Sequence, residues 1–122
     1  MINMVMLVGR LVRDPEIIES DNGSKLSHVT LAVNRKFKGT DGVYHTDYID
    51  CNLWNNCAIN VNEYCSKGDL IGIRGRLQVD VVENDGVKRK YTNVVAENIT
   101  FLSSLKNKEG TEVKLTEWHN CK

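Results

Sequence analysis

The stretch "DYIDCNLWNNCAINVNEYCSKG", residues 47–68, decides the fold because it changes from one structural period to another. In its first part, Ile49, Cys51 and Leu53 alternate with polar or aromatic residues. Side chains of a strand point alternately to its two faces, so this pattern predicts a strand with one buried face. The other face carries Tyr48, Asp50, Asn52 and Trp54. Two large rings on a water-facing side are unusual and make this face a candidate binding surface.

The second part of the stretch has a helical period. Ala58, Val61 and Cys65 recur three or four residues apart, which predicts one short helix of about two and a half turns. One of the asparagines at residues 55–56 is predicted to cap its start, and Gly68 is predicted to close its end.

Four further alternating runs flank this strand and helix, with turn residues between them. Two runs precede them, at residues 3–12 and 26–35, and two follow, at residues 69–82 and 87–102. The Asp–Gly pair at residues 85–86, between the last two runs, is the strongest short-range signal for a hairpin. The sequence therefore predicts three strands, one short helix and two more strands.

This order of elements is typical of an all-β fold, the five-stranded Greek-key OB-fold barrel, with one short helix between strands 3 and 4. A β-sandwich is the alternative, but it usually needs around seven strands. The OB-fold domain is predicted to occupy residues 1–102. Residues 103–122 are polar, with scattered apolar residues such as Leu115 and Trp118, and are predicted to form a flexible or weakly ordered tail.

Size and composition are those of one domain, with 122 residues of which 41% are hydrophobic. No segment approaches the roughly 20 apolar residues of a membrane-spanning helix. The apolar run at residues 4–8 is too short for a secretory signal, so a cytoplasmic protein is expected. The 16 basic and 16 acidic residues cancel, so any nucleic-acid interaction must come from local clusters of charge.

The four cysteines allow two disulfides, but their positions favour free thiols. They are Cys51, Cys57, Cys65 and Cys121. The first falls on the predicted core face and the next two lie on the predicted helix. Because disulfides are rare in the cytosol, we expect reduced, mostly structural thiols. The sequence has no C-x-x-C pair and its three histidines are scattered, so neither a metal site nor a cofactor is expected.

Aromatic and basic residues converge on the face of Tyr48 and Trp54. These rings are separated by roughly 20 Å along an extended strand, and each presents a flat surface on which a base can stack. The loop before them carries Arg35, Lys36, Phe37 and Lys38. Later strands add Arg74, Arg76 and, after the Asp–Gly turn, Lys88 with Arg89 and Lys90. Cations along a phosphate backbone, beside rings that stack bases, are typical of single-strand binding.

Each of these features also has a structural alternative. A half-exposed ring can cover the core or contact another subunit, and a basic run can be a solvated hairpin tip. Arg74 and Arg76 can also form ion pairs, with Asp69, Asp80 or Glu97 as partners. The convergence of rings and charges on one predicted face favours the binding interpretation.

Several segments, in the same order and spacing, resemble bacterial single-stranded DNA-binding proteins. They are "MLVGRLVRDPE", "VTLAVNRKF", "DYIDCNLW", "EYCSKGDLIGIRGRL" and "VVAENITFL", within residues 1–102. The similarity is greatest to the shorter forms of Gram-positive bacteria and their phages. It implies sequence-nonspecific binding and protection of single-stranded DNA in replication, recombination and repair, by a cytoplasmic, nucleoid-associated protein.

The resemblance also implies roles for particular residues. The DNA-stacking aromatics of the family fall at Phe37, Tyr48 and Trp54, and basic positions fall at Lys67 and Arg76. A further family aromatic falls at Val82, where an aliphatic side chain cannot stack a base. Weaker binding or a different DNA path is therefore expected at that loop.

Assembly and partners are also implied by the resemblance. The family assembles as a homotetramer, and residues 2–8 here are apolar on both faces, which suits a strand that pairs with a second copy. Family members end with an acidic tip that docks replication and repair proteins. This chain ends "KLTEWHNCK" without such a tip, so recruitment of those partners is in doubt.

Two other functions compete with this one. A primosomal-type OB adaptor shares the barrel and acts mainly through protein contacts, but the retained rings at Phe37, Tyr48 and Trp54 argue against it. An enzyme such as a nuclease needs clustered carboxylates or a nucleophile beside a base. Asp47 and Asp50 lie among stacking rings and make a poor metal cage, so the protein is predicted not to be an enzyme.

Overall fold

A computed structural model describes residues 1–103 and 117–122. Within these residues the chain forms seven strands and one helix, in the order β1 (Val5–Leu11), β2 (Ile18–Glu19), β3 (Lys25–Asn34), β4 (Thr46–Trp54), α1 (Asn55–Tyr64), β5 (Leu70–Asn84), β6 (Val87–Phe101) and β7 (His119–Asn120). Residues 104–116 lie outside the described part.

Five of the strands close into a ring. β1 pairs with β5, β5 with β6, and β3 with β4, all antiparallel. The ring closes where β6 meets β4 in parallel, at Cys51–Val94 and Asn52–Val95, and where the end of β1 pairs with β3. The predicted five-stranded barrel is confirmed, with the helix between its third and fourth strands. The two-residue strands β2 and β7 were not predicted, and they extend the edges of β3 and β6.

Gly9 lies where β1 changes partners. Arg10 pairs both with Leu70 of β5 and with Ala32 of β3. A Cβ atom at Gly9 would lie 2.7 Å from the carbonyl oxygen of Ala32, so a larger residue would push the two strands apart. Glycine is needed here because two backbones approach closely.

The alternation that predicted β4 also describes how it packs. Cys51 and Leu53 are buried, and Ile49 packs against the core from a partly buried position. The helix α1 contributes Cys57, Ala58 and Val61 to the same core. The largest fully buried side chains are Phe101, Leu11, Leu31, Leu53, Ile71, Ile73 and Ile99. Burial of each such side chain stabilises the fold by about 1.5–3 kcal/mol relative to exposure.

Both predicted helix caps are wrong. Trp54, the last residue of β4, occupies the N-cap position, and among the described side chains none caps the start of α1. The strand runs directly into the helix, which leaves no residue between them for a cap. At the other end, Cys65 donates its backbone N–H to the carbonyl of Val61. Gly68 lies beyond the helix in the turn to β5, with φ +92°.

The β5–β6 hairpin extends beyond the barrel. Its turn is Asp85–Gly86, with φ angles of 51° and 78°, as the Asp–Gly signal predicts. Side chains from Val79 to Thr92 are all exposed, on both faces of the hairpin. This distal half is an arm held by backbone pairing between β5 and β6.

One pair of cysteines contradicts the expectation of free thiols. Cys57 in α1 and Cys121 form a disulfide, with their Cα atoms 4.5 Å apart. No sequence signal placed residue 121 beside the helix, because it falls in the segment predicted as a tail. Cys51 and Cys65 are buried free thiols, as expected.

The C-terminal segment falls in two parts. The predicted flexible tail at residues 103–122 lies mainly on residues 104–116, outside the described residues, and stays a prediction there. At the end of the chain, β7 pairs with β6 through Asn120–Asn98 and His119–Ile99. In the described residues, no helix is long and apolar enough to cross a bilayer.

The two free thiols should resist alkylation in the folded protein. Burial, with a smaller contribution from Asp50 or Asp69, raises the pKa of Cys51 and of Cys65 to about 12. At pH 8 only about one thiol in 10⁴ would then be a thiolate, which is the reactive form. We expect almost no iodoacetamide adduct on the native chain by intact mass spectrometry, and two adducts in guanidinium.

The same pKa shifts have a consequence for stability. Folding favours the neutral thiols. Their contribution to the free energy of unfolding is therefore present below the ordinary thiol pKa of about 8.5 and is lost as pH rises towards the raised pKa.

The alkylation experiment also tests the burial of the thiols. Rapid incorporation of two alkyl groups into the native chain at pH 8 would contradict it.

Candidate nucleic-acid interface

Four neighbouring strands present one outward surface, which we call the outer face. It consists of the outward side chains of β3, β4, β6 and the barrel half of β5. Residues paired across a strand ladder share a face, so one row of this surface is His28, Asn52, Val95 and Arg76. The outer face therefore brings Arg76 of β5 to the same side of the barrel as Tyr48 and Trp54 of β4.

The aromatic side chains on and beside this face are accessible to a ligand. Tyr48 is 68% exposed and lies opposite the small Ala32, which leaves its ring uncovered. Phe37, in the loop between β3 and β4, is 81% exposed. Trp54 is half-buried at the end of β4. Tyr48 and Phe37 therefore present accessible ring surfaces, which suits stacking with a base.

A polar hollow of about 450 Å³ lies between Tyr48 and Trp54. It is lined by Arg13, His28, Val29, Thr30, Asp50, Cys51, Asn52, Asp80 and Asn93. The Thr30 hydroxyl donates to Asp50 at 2.7 Å and accepts from the Arg13 guanidinium at 2.9 Å. Amide and carboxylate groups fixed in this way can hydrogen-bond the edges of stacked bases.

Arg35 and Lys38 are held by neighbours. The Arg35 guanidinium donates to both carboxylate oxygens of Asp47, with N–O distances between 2.9 and 3.2 Å. This hydrogen-bonded pair lowers the pKa of Asp47 and raises that of Arg35. The Lys38 ammonium lies 5.5 Å from the centre of the Tyr44 ring. A phosphate must therefore compete with Asp47 for Arg35 and with the Tyr44 ring for Lys38, although both side chains, like Lys36, are exposed.

Arg74 and Arg76 have partners other than the acidic residues considered as alternatives. The Arg76 guanidinium donates to the side-chain oxygen of Gln78 at 2.9 Å. The Arg74 guanidinium lies 4.7 Å from the centre of the Trp118 ring, in a cation–π contact. Both arginines are half-buried on the outward side of β5.

Two predicted site residues are not brought to the outer face. Lys88 alternates with Arg89 on β6 and so lies on the side of the hairpin opposite Arg76. Lys67 lies in the turn between α1 and β5, where its backbone N–H donates to Asp14 at 2.7 Å. No strand register connects that turn to the outer face among the described residues.

The hairpin instead brings Arg89, which the sequence analysis named beside Lys88, and Tyr91, which it missed. Arg89 and Tyr91 lie on the same side as Arg76, opposite Val82 and Asp80 in the ladder. Together with Val82 they line a hollow of about 390 Å³ on the arm. A ring thus lies beside Val82, the position where the resemblance implies an aromatic residue. Counting the strand alternation through the Asp–Gly turn would have identified Tyr91 and separated Arg89 from its neighbours Lys88 and Lys90.

The end of the chain borders the outer face at Trp54. A hollow of about 380 Å³ beside this ring is lined by Trp54, Asn55, Ala96, Glu97, Asn98, Asn120, Cys121 and Lys122. At the other side, Trp118 covers Arg74. The C-terminal residues therefore contact Arg74 and border the hollow beside Trp54, two of the predicted DNA-binding residues.

In the part of the chain that the structure describes, there is no cluster of three or more histidine, cysteine or acidic side chains suited to a metal ion. The carboxylates on the outer face are instead held by hydrogen bonds. Asp80 accepts from Asn93 at 2.9 Å and from Gln78 at 3.1 Å. The outer face therefore offers rings, cations and hydrogen-bonding groups for recognition.

A closed OB-type barrel with bare rings and cations on the outward side of its central strands defines a class of nucleic-acid-binding modules. Comparison with known proteins agrees with this class and identifies one family within it. Residues 2–102 match the model of the single-strand binding protein family, and the chain belongs to that family. The resemblance noted from the sequence is thereby confirmed.

Individual relatives are similar over most of the chain. Single-stranded DNA-binding protein B of Bacillus subtilis is 46% identical over 103 residues, covering 84% of this chain and 91% of that protein. The single-stranded DNA-binding protein of Staphylococcus aureus strain MRSA252 is 44% identical over 116 residues, covering 94% of this chain and 74% of its own length. That of Halalkalibacterium halodurans is 44% identical over 103 residues, which span 61% of its length.

Proposed function

We propose that this protein binds and protects single-stranded DNA without reading its sequence, during replication, recombination and repair. It performs no chemistry on the DNA. The observation that carries this proposal is the bare ring of Tyr48, which lies on the same outer face as Trp54 and Arg76. Membership of the single-strand binding protein family supports it.

In the proposed mechanism, the aromatic rings bind the bases and the cationic side chains bind the phosphates. Bases stack on Phe37, Tyr48 and Trp54, each contributing about 1–3 kcal/mol, and any base has a face that can stack. Phosphates pass Lys36 and Arg76, which are the cations best placed for direct contact. Arg35 and Lys38 take part once a phosphate displaces Asp47 or Tyr44 as partner.

Titration with oligo(dT) tests this function against that of an OB adaptor. The chain has two tryptophans, Trp54 and Trp118. A Trp118→Phe variant makes the fluorescence report on Trp54 alone. We expect strong, saturable quenching as bases stack on the indole ring. No change in fluorescence and no bound oligonucleotide by gel shift would favour the adaptor.

Replacing Arg76 by alanine should lower the salt dependence of binding. Each phosphate neutralised on a single strand adds about 0.7 to the slope of log K against log salt, so we expect the slope to fall by about 0.7–1. The measurement is oligo(dT) affinity between 50 and 300 mM salt. Lys88→Ala is the matched control, because it also removes one positive charge but on the opposite side of the hairpin. Equal slopes for the two variants would contradict the assignment of Arg76 to a phosphate.

We propose that the protein assembles as a homotetramer. Met4, Met6 and Val8 expose apolar side chains along β1, and no described strand pairs with the outer edge of β1 between Val5 and Val8. A second apolar row, Leu77, Val79 and Val81, lies on the side of the arm opposite the outer face. Two separate apolar surfaces suit the two interfaces of a dimer of dimers.

Sedimentation equilibrium tests this assembly. The wild-type protein should sediment with about four times the monomer mass of 13.8 kDa. A charge at Met4 should split the assembly, since this side chain is exposed in the monomer and would be buried between copies. Met4→Glu is therefore expected to give dimers or monomers, whereas Met4→Leu keeps the tetramer. A monomeric wild-type protein would contradict the proposal.

The proposed location follows from the proposed ligand. Single-stranded DNA arises in the bacterial cytoplasm when the chromosome is copied or repaired, so we place the protein there, associated with the nucleoid. Replication and repair proteins are its proposed neighbours on the same DNA.

A further inference from the structure

The last six residues form a segment that we call the C-terminal strap, residues 117–122. Its strand β7 pairs with β6, and the Cys121 N–H donates to the Glu97 carbonyl at 3.1 Å. On its other side the strap is bonded to α1, where the Asn56 N–H donates to the Cys121 carbonyl at 3.2 Å. The strap therefore fills the gap between β6 and the start of the helix.

The strap contacts one candidate DNA-binding residue of the outer face and borders the hollow beside another. Near its start, Trp118 lies over the guanidinium of Arg74 at 4.7 Å. At its end, Asn120, Cys121 and Lys122 form one wall of the hollow beside Trp54. The strap lies beyond residues 2–102, the part matched by the family model.

The disulfide is the covalent anchor of the strap. Cys121 is bonded to Cys57, whose side chain is fully buried in the first turn of α1. Without this bond, the strap is held by a two-residue strand and a few hydrogen bonds at a chain terminus, where segments fray readily. Docking of the strap should therefore depend on the oxidation state of this pair.

We propose that the C-terminal strap is a redox-dependent cover on the DNA-binding surface. With the disulfide intact, the strap holds Trp118 over Arg74 and walls the space beside Trp54. A dithiol reductant breaks the bond: two electrons and two protons convert Cys57 and Cys121 to thiols, and the two thiols of the reductant become a disulfide. The released strap uncovers Arg74 for a phosphate and opens the side of Trp54. This inference rests on the proposed single-stranded DNA binding.

Release of the strap can be measured without DNA. Carboxypeptidase should remove C-terminal residues from the reduced protein much faster than from the oxidised protein, because docked backbone does not fit a protease site. Equal trimming in both states would overturn the proposal. The double variant Cys57→Ser/Cys121→Ser should be trimmed rapidly whether or not reductant is present.

Binding to oligo(dT) over a range of salt tests the effect on the DNA surface. Reduction should raise affinity about two- to fivefold, as expected for one added ion pair at a partly exposed site. It should also steepen the salt slope by about 0.7, for one more phosphate contact on a single strand. The double serine variant should behave as the reduced protein under both conditions.

Two further variants separate the cover from a general effect of reduction. Trp118→Ala keeps the disulfide but uncovers Arg74. Its slope of log K against log salt should therefore equal that of the reduced wild-type protein in both redox states. Arg74→Ala should still bind, with a slope that no longer changes on reduction. Equal affinity and slope for the oxidised and reduced wild-type protein, or tighter binding when oxidised, would overturn the strap proposal. Failure of both forms to bind would instead overturn the proposed function.

Discussion

Replacing Tyr48 by alanine should weaken binding to oligo(dT) by about 1–3 kcal/mol, a rise in Kd of about five- to 150-fold. The ring is 68% exposed on the outer face, so its loss removes a stacking surface without opening a hole in the core. The melting temperature should change little for the same reason. The measurement is fluorescence or anisotropy titration at fixed salt, with a thermal melt of each variant.

Tyr48→Phe is the matched control for this prediction. It keeps the flat ring and removes only the hydroxyl, so it should bind nearly as the wild type does. The slope of log K against log salt should be the same for Tyr48→Ala as for the wild type, because no cation is removed. Undiminished affinity of Tyr48→Ala would show that bases do not stack on this strand.

Replacing Gly75 by alanine should cost the fold about 3 kcal/mol or more, which would lower Tm by about 10 °C or more. An added Cβ would lie 2.0 Å from the carbonyl oxygen of Val95, which is backbone and cannot rotate away. This contact lies beside the irregularity where the β5–β6 register shifts, between Arg74 and Gly75. The measurement is a thermal melt followed by circular dichroism.

Thr92→Ala, on the same hairpin, is the control for that melt. Thr92 is exposed and pairs with Val79, so its loss should cost less than about 1 kcal/mol. If Gly75→Ala melted within a few degrees of the wild type, the close approach of β5 and β6 at this point would be contradicted.

The barrel could be predicted because its signals are local. The alternation at Ile49, Cys51 and Leu53 identified β4 and its buried side, and the Asp85–Gly86 turn identified the last hairpin. Each of these patterns acts over a few residues, which is the range at which backbone geometry dictates side-chain direction. The helix caps could not be predicted in this way, because the junction of β4 with α1 is set by packing of the helix on the barrel.

The strap and its disulfide could not be predicted for a different reason. Cys57 and Cys121 are 64 residues apart, and no periodic pattern connects them. The resemblance to a known family ended near residue 102 and so gave no help with the end of the chain. Pairing of distant cysteines depends on the finished tertiary structure, which brings β7 beside α1.

The side of the barrel on which a candidate site residue lies could be predicted more easily for the rings than for the cations. Tyr48 and Trp54 share a strand, and their common side follows from simple alternation. The placement of Lys88 was wrong in relation to the outer face because a charge run was taken as a cluster, although neighbours in a strand point to opposite sides. Arg89 and Tyr91 are the residues that the ladder aligns with Arg76.

The strand β5 runs without a break from the barrel wall into the arm, so its outward side chains are regularly spaced. Its 15 residues place an outward side chain roughly every 6.6 Å, about twice the rise per nucleotide of a paired strand. One outward side chain of β5 therefore recurs for about every two nucleotides of a strand with that rise.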